Sequence, residues 1–221
     1  MPRRHDLEQF LRQVPIFERL STDDRRRLAD RVQERRFDKG ETLFHEGQPS
    51  ESVWIVREGR IHLVHYQPSG STQANCVMTV GELFCCLPAM DRGAYPATAV
   101  AAVPSSVLQI PTTALHDLMQ RSPAILQDTL CTFSSRLRQV EAKGCLVHDP
   151  VERRVAQALL VLQKKFGSTI PLTRQEVAEL AGTTVETVIR TMSRFQREGW
   201  VRSTRGKIQL VAPDRLRRLF Q

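Results

Sequence analysis

The sequence predicts an α+β fold in three parts: a β-roll over 1–111, a long helix over 112–148, and a small module of helices and a hairpin over 149–221. Three observations carry this. From Phe37 to Ile110 short apolar runs recur with period two between glycine and proline turns. Beyond them, from 112 to 147, apolar residues recur every three or four positions. Charge is the third. Residues 150–221 hold 14 Lys+Arg against 6 Asp+Glu, whereas residues 1–149 hold 18 of each. The net charge of +8 therefore lies wholly in the last third. A cation excess confined to one module is the footprint of a phosphate-binding surface.

Composition excludes several classes. The amino terminus leads into no apolar stretch, and no run approaches the ~18 apolar residues of a membrane span. The expectation is a cytoplasmic chain without membrane contact. Cys76, Cys85, Cys86, Cys131 and Cys145 make an odd count with no C-x-x-C pair, against a disulfide framework or a structural zinc site. There is no P-loop and no G-x-S-x-G, and His45-Glu46 meets Pro49 where a metalloprotease helix needs its second histidine. No catalytic or metal-binding residue is assigned, and the chain is not read as an enzyme.

Taken in order, residues 6–36 read as helical. Leu7, Phe10, Leu11 and Val14 share a face, Pro15 interrupts it, and Ser21 or Thr22 can cap a second helix through Leu28 and Val32. Arg25 to Arg27 and Arg35-Arg36 interleave with Asp23, Asp24, Asp30 and Glu34, so a solvated helix face is favoured over a nucleic-acid patch. Strands are predicted at Thr42–Phe44, Val53–Val56, Ile61–Tyr66, Ala74–Thr79, Ala97–Ala102 and Val107–Ile110. His62 and His65, three apart on one strand, face opposite sides and cannot chelate one ion together.

Residues 112–147 read as one helix. Leu126, Leu130, Phe133, Leu137 and Val140 step by four and three, and Gly144 and Val147 continue the series. So narrow a stripe favours a parallel coiled-coil seam between two copies over packing on the roll. Asp149 and Pro150 open the next helix, Asp149 as cap and Pro150 in its first turn. Val151, Val155, Leu159, Leu162 and Phe166 form its core face, and Gly167 ends it.

From Thr173 to Gly199 the pattern is two short helices. Thr173 and Glu176 fit a capping box. Gly182 suits the turn, and Thr183 or Thr184 can cap the second helix. Val188, Met192 and Phe195 form its inner face; Val185, Glu186, Ile189, Arg190 and Ser193 lie outside. This is a helix-turn-helix pattern, whose second helix would enter the DNA major groove. An ordinary helical hairpin, with Glu186 bonded back to Thr183 and paired to Arg190, is the alternative. Two short strands, Trp200–Arg202 and Ile208–Val211, around a turn at Gly206 form a wing.

The segments LTRQEVAEL, GTTVETVIR and RFQREGWV resemble the DNA-binding domain of the CRP/FNR family of transcription regulators, the FNR branch most closely. The likeness runs from about Leu7 to about Leu216. Gly40, Gly47, Gly59 and Gly81 stand where the family's cyclic-nucleotide-binding-like β-roll has its turn glycines. The resemblance implies an N-terminal cyclic-nucleotide-binding-like β-roll as sensor, a long dimerisation helix and a C-terminal winged helix-turn-helix. It implies an allosteric homodimer whose partners are double-stranded DNA, as a palindromic operator, and RNA polymerase. Base contacts are expected from Val185, Glu186, Ile189 and Arg190, with Glu186 and Arg190 matching the family's pair that reads a TGA core. Val185 matches FNR and favours a TTGA inverted repeat, while Ile189 departs from FNR and leaves the outer bases open. Phosphate contacts are expected at Thr173, Arg174, Gln175, Thr184 and Lys207.

The resemblance also marks an effector pocket at Glu82, Cys85, Cys86, Tyr95 and Pro96. Cyclic-AMP receptors use a glutamate after the glycine, which Glu82 matches, and an Arg-Ser pair for the phosphate. Here that pair is Pro96-Ala97 or Tyr95-Pro96, which carries no cation, so cyclic AMP is not the expected signal. Cys85 and Cys86 read as small buried hydrophobes, redox thiols, or a haem ligand as in CooA-like gas sensors. Pro2 matches the CooA proline, but Leu87 replaces its histidine. FNR's amino-terminal cysteine cluster is absent before Cys76, so no iron–sulfur centre is expected.

Overall fold

A computed structural model describes residues 4–66, 72–144 and 149–220. Pro2, Cys145, Val147 and the side chain of Val140 lie outside the described residues. The chain divides into two compact units. No helix among the described residues is long and apolar enough to cross a membrane.

The first unit opens with α1 (Arg4–Gln13), one 3-10 turn (Pro15–Phe17) and α2 (Thr22–Arg31). Ser21 caps α2 by accepting from the Asp24 N–H at 3.1 Å. Then come β1 (Gln33–Phe37), β2 (Thr42–Phe44), β3 (Ser52–Glu58), β4 (Ile61–Tyr66), β5 (Thr72–Met78), β6 (Leu83–Phe84), α3 (Cys86–Asp91), β7 (Thr98–Ala101) and β8 (Ser105–Pro111). Two antiparallel sheets form the roll, in the orders β1-β8-β3-β6 and β2-β7-β4-β5. Phe44, Trp54, Ile61, Phe84, Tyr95 and Val107 fill the space between them. A second cluster joins the outer side of β3 and β8 to the helices, through Leu11, Phe17, Ile55, Leu108, Leu115 and Ile125.

In the first unit three expectations are corrected. Arg35 and Arg36 lie on strand β1, not on a helix face. Among the described residues β1 pairs with β8 alone, at the sheet edge, and its mostly exposed, mostly polar residues show no alternation. Glu34 is tied there to Arg57 at 2.7 Å and to the Ser106 hydroxyl. Next, the helix expected over 112–147 is two helices, α4 (Thr112–Arg121) and α5 (Pro123–Gly144). Ser122 between them is extended, φ −126° and ψ 97°. A residue before proline is driven out of the helical region by the proline ring. Lastly, the stretch after Gly81 contains β6 and α3 rather than an open loop.

Helix α5 carries two faces. Ile125 and Thr129 are buried against its own unit. Leu126, Leu130 and Leu137 are exposed, and Phe133 packs partly on the roll's core.

The second unit contains α6 (Val151–Phe166), β9 (Thr169–Ile170), α7 (Arg174–Ala181), α8 (Val185–Arg197), β10 (Val201–Thr204), β11 (Lys207–Leu210) and α9 (Pro213–Arg217). Pro150, rather than Asp149, occupies the cap position of α6, and Asp149 pairs with Arg153 at 3.8 Å instead. Val155, Leu159, Leu162, Val177, Val188, Met192, Phe195, Ile208 and Leu216 are buried as the unit's core. The wing's turn is tighter than expected, reduced to Arg205-Gly206, and β11 also pairs with β9, which has no two-residue-period signal of its own.

Candidate nucleic-acid interface

The site is built from short-range chemistry. Thr173 caps α7 by accepting from the Glu176 N–H at 3.2 Å, and the Glu176 carboxylate accepts the Thr173 N–H at 2.6 Å. Those are two otherwise orphaned donors satisfied reciprocally. Gly182 ends α7 in the left-handed region at φ +60°, which only glycine adopts without Cβ strain. From α6, Arg154 Nη1 donates to the Gly182 carbonyl at 2.8 Å and pins the turn. Thr184, not Thr183, caps α8, accepting from the Thr187 N–H at 3.3 Å. The back-bond from Glu186 to Thr183, which the plain hairpin reading required, is not the cap that forms.

Val188, Met192 and Phe195 point into the core, and Phe195 stacks on Trp200 with centroids 5.2 Å apart. Arg194 bonds Glu152 of α6 at 2.8 Å, which fixes the rotation of α8 about its axis. The opposite face therefore points outward. Glu186, Ile189, Arg190 and Ser193 are exposed, and Val185 is half-buried. Glu186 is held below the ordinary carboxylate range, first by its own backbone N–H at the helix start, then by the Thr184 hydroxyl and by Arg190. It stays ionised as an acceptor. Arg190 Nη2 donates to the Thr187 hydroxyl at 3.3 Å, which steadies the guanidinium at the surface.

The expected phosphate contacts differ among themselves. Arg174 is half-buried at the start of α7, and Lys207 is exposed at the start of β11. Thr173 uses both its donors on Glu176, and the Gln175 amide donates to Glu179 at 2.8 Å. Thr184 is occupied as a cap. The two cations are thus the better candidates. Arg202 and Arg205, outside the expected set, are exposed beside Lys207 on the wing. Three cations within six residues of a predicted hairpin were the available signal.

Of the expected effector residues, Cys85 and Tyr95 share the roll's inner cluster, whereas Cys86 lies in the other cluster and Pro96 at the surface. One Glu82 carboxylate oxygen accepts from the Thr79 N–H at 2.7 Å and its hydroxyl at 2.8 Å, closing the turn at Gly81. Cys85, left-handed at φ 59°, is buried in the aromatic cluster between the sheets. Cys86 is buried in the other cluster. Tyr95 stacks on Phe44 at 3.8 Å, accepts from Trp54 Nε1 at 3.1 Å and donates to the Ser52 carbonyl at 3.0 Å. Burial, first of all, raises its pKa. Pro96 is exposed. A haem on Cys85 would need an open face beside the thiolate, and aromatic side chains fill that space, so these residues do not fit one. Among the described residues no cluster of three or more His, Cys, Asp or Glu is placed to hold a metal ion.

A roll joined by a long helix to a winged helix-turn-helix with an outward Glu–Arg pair defines a DNA-binding regulator with a sensor domain. Comparison with known proteins agrees. Residues 34–122 match the cyclic nucleotide-binding domain and residues 153–219 the Crp-like helix-turn-helix domain. The chain is 30% identical over 178 residues to the transcriptional activator protein anr of Pseudomonas aeruginosa, covering 76% of this chain and 72% of that one. It is 26% identical over 221 residues to the CRP-like cAMP-activated global transcriptional regulator of Mycobacterium tuberculosis, covering 96% and 99%. FixK2 from Bradyrhizobium japonicum has the same fold, with TM-score 0.77 and 22% identity over 85% of this chain and 96% of that one. The chain belongs to the CRP/FNR family of transcription regulators.

Proposed function

We propose that this regulator works as a homodimer, paired along Leu126, Leu130 and Leu137 of α5, and that α8 reads an inverted TTGA-type repeat. The outward Glu186–Arg190 pair on a firmly capped helix carries this reading. An arginine can donate to guanine O6 and N7, and a glutamate can accept from cytosine N4. Two copies place two such helices about one helical turn apart. Arg174 and Lys207 supply phosphate contacts. On its operator the dimer acts on transcription through contact with, or obstruction of, RNA polymerase. The test is retardation of a duplex with two inverted TTGA half-sites against a scrambled duplex at equal salt. Equal retardation of both would overturn the reading.

The signal at the roll is not cyclic AMP. Pro96 or Tyr95, according to register, takes the place of the family's arginine; neither carries a cation, and the Tyr95 hydroxyl is already bonded on both sides. Burial of Cys85 and Cys86 speaks equally against a thiol or haem signal at that point. Calorimetry of the full chain with cyclic AMP should give no saturable heat; micromolar binding would sink this part.

A further inference from the structure

The outer face of α8 carries two parallel rows. Glu186 and Arg190 form one, Val185 and Ile189 the other, each pair four residues apart and so stacked on one side of the helix. Neighbouring rows are offset by one residue, about 100° around the axis. Ile189 is 39% exposed, whereas Val188, Met192 and Phe195 on the same helix are fully buried. The fold therefore does not need Ile189. A branched apolar side chain stands in water beside the charged pair.

We propose that Ile189, flanked by Val185, reads the 5-methyl group of a thymine in the major groove, next to the G·C pair taken by Glu186 and Arg190. This rests on α8 being the base reader. Isoleucine offers neither donor nor acceptor, so it cannot satisfy the polar edge of any base. Against cytosine N4 or a purine N7 it would leave a buried group without a partner, which is costly. The thymine methyl is the one apolar feature on the major-groove floor. Charge selects DNA over a protein as the occupant. Residues 150–221 carry a net +8, and Arg190, Arg194 and Arg197 lie on this same helix. A second copy of the chain would oppose cation with cation.

The experiment uses the full-length protein and the best duplex selected by it from random sequences. Each thymine of a half-site is replaced in turn by deoxyuridine, which removes only the methyl. Near the guanine, one position should lose affinity about fourfold per half-site, the value of one buried methyl. In Ile189→Ala that loss should vanish, and in Ile189→Thr it should shrink. Sensitivity at no position, or equal sensitivity in wild type and Ile189→Ala, overturns the proposal. A separate arm tests the reading beneath it: 7-deazaguanine should weaken wild type but not Arg190→Ala. If that arm holds while the uridine arm fails, only the methyl contact falls. If it fails too, or no duplex is selected, α8 is not the reader and both fall.

Discussion

Glu82 in the roll and Glu186 on α8 stand in opposite relations to their own fold. The Glu82 carboxylate accepts from Thr79 at 2.7 and 2.8 Å and closes a turn. Glu186 is exposed at the start of α8, beside Arg190. Tyr95 and Arg190 repeat the contrast. The tyrosine is bonded to Trp54 and Ser52 inside an aromatic cluster, while the guanidinium lies at the surface. A polar group that completes its own fold cannot recognise a ligand without breaking something. A polar group left outward can be removed without harm to the fold. Substitutions in the roll should therefore cost stability, and substitutions in the reader should cost binding.

The largest effect is expected where α5 presents outward leucines. Leu130 and Leu137 are 56% and 60% exposed, so the isolated chain does not need them. Leu130→Glu with Leu137→Glu should give folded monomers, with operator affinity down by roughly 10²-fold or more as each half-site loses its tethered partner. Phe133 is spared because it also packs on the roll. Sedimentation decides; a double variant that stays dimeric removes the seam.

Tyr95 sharpens the other side. Tyr95→Ala should cost about 3–5 kcal/mol of stability, as for other buried aromatics. Tyr95→Phe should cost about 1–3 kcal/mol, by leaving Trp54 Nε1–H and the Ser52 carbonyl short of a partner. The phenol's pKa is raised in the folded state. The unfolded state thus loses its proton first, and stability should fall as pH climbs from about 10, the free tyrosine value. Tyr95→Phe should lack that alkaline loss in denaturant titrations. A full alkaline loss in the variant would mean that Tyr95 is not the group responsible.

How much of this was legible follows from sequence distance. The helix-turn-helix was readable because its determinants are local: Thr173 with Glu176, Gly182, and inner-face residues three or four apart. β1 was not, since its polar residues 33–37 become a strand only by pairing with 105–109, some seventy residues on. β6 and β9, two residues each, likewise exist through their partners. That Tyr95, Pro96 and Ala97 carry no charge was visible in the sequence. That Tyr95 turns inward was not, because Phe44 and Trp54 arrive from distant strands. Pro123 was a readable break, since the residue before a proline is driven out of the helical region and proline suits a helix's first position.

On α8, Arg190→Ala should leave the unfolding midpoint unchanged and cost about 1–3 kcal/mol on the best duplex, with preference relaxed at the guanine. Glu186 is held ionised below the ordinary carboxylate range, so base discrimination should persist as pH falls toward that range. Binding-site selection measures both. Full discrimination at the guanine after Arg190→Ala would remove this helix register.

The smallest effect belongs to Lys207. It is exposed at the start of β11, in register with Thr204 across the Arg205-Gly206 turn. A lysine there is a flexible point charge, suited to a phosphate and carrying no base information. Lys207→Ala should change stability by no more than about 0.5 kcal/mol, as for other surface sites. It should weaken operator and scrambled duplex by the same small factor. The weakening should shrink as salt rises, because one counterion fewer is released. In a homodimer the slope of log affinity against log salt should flatten by about 0.9 for each phosphate that is no longer neutralised. Arg190→Ala should behave in the opposite way, changing sequence preference more than the salt slope. If Lys207→Ala altered preference among half-sites while the salt slope held, the wing would be reading bases, and the division between positioning cations and reading side chains would be drawn in the wrong place.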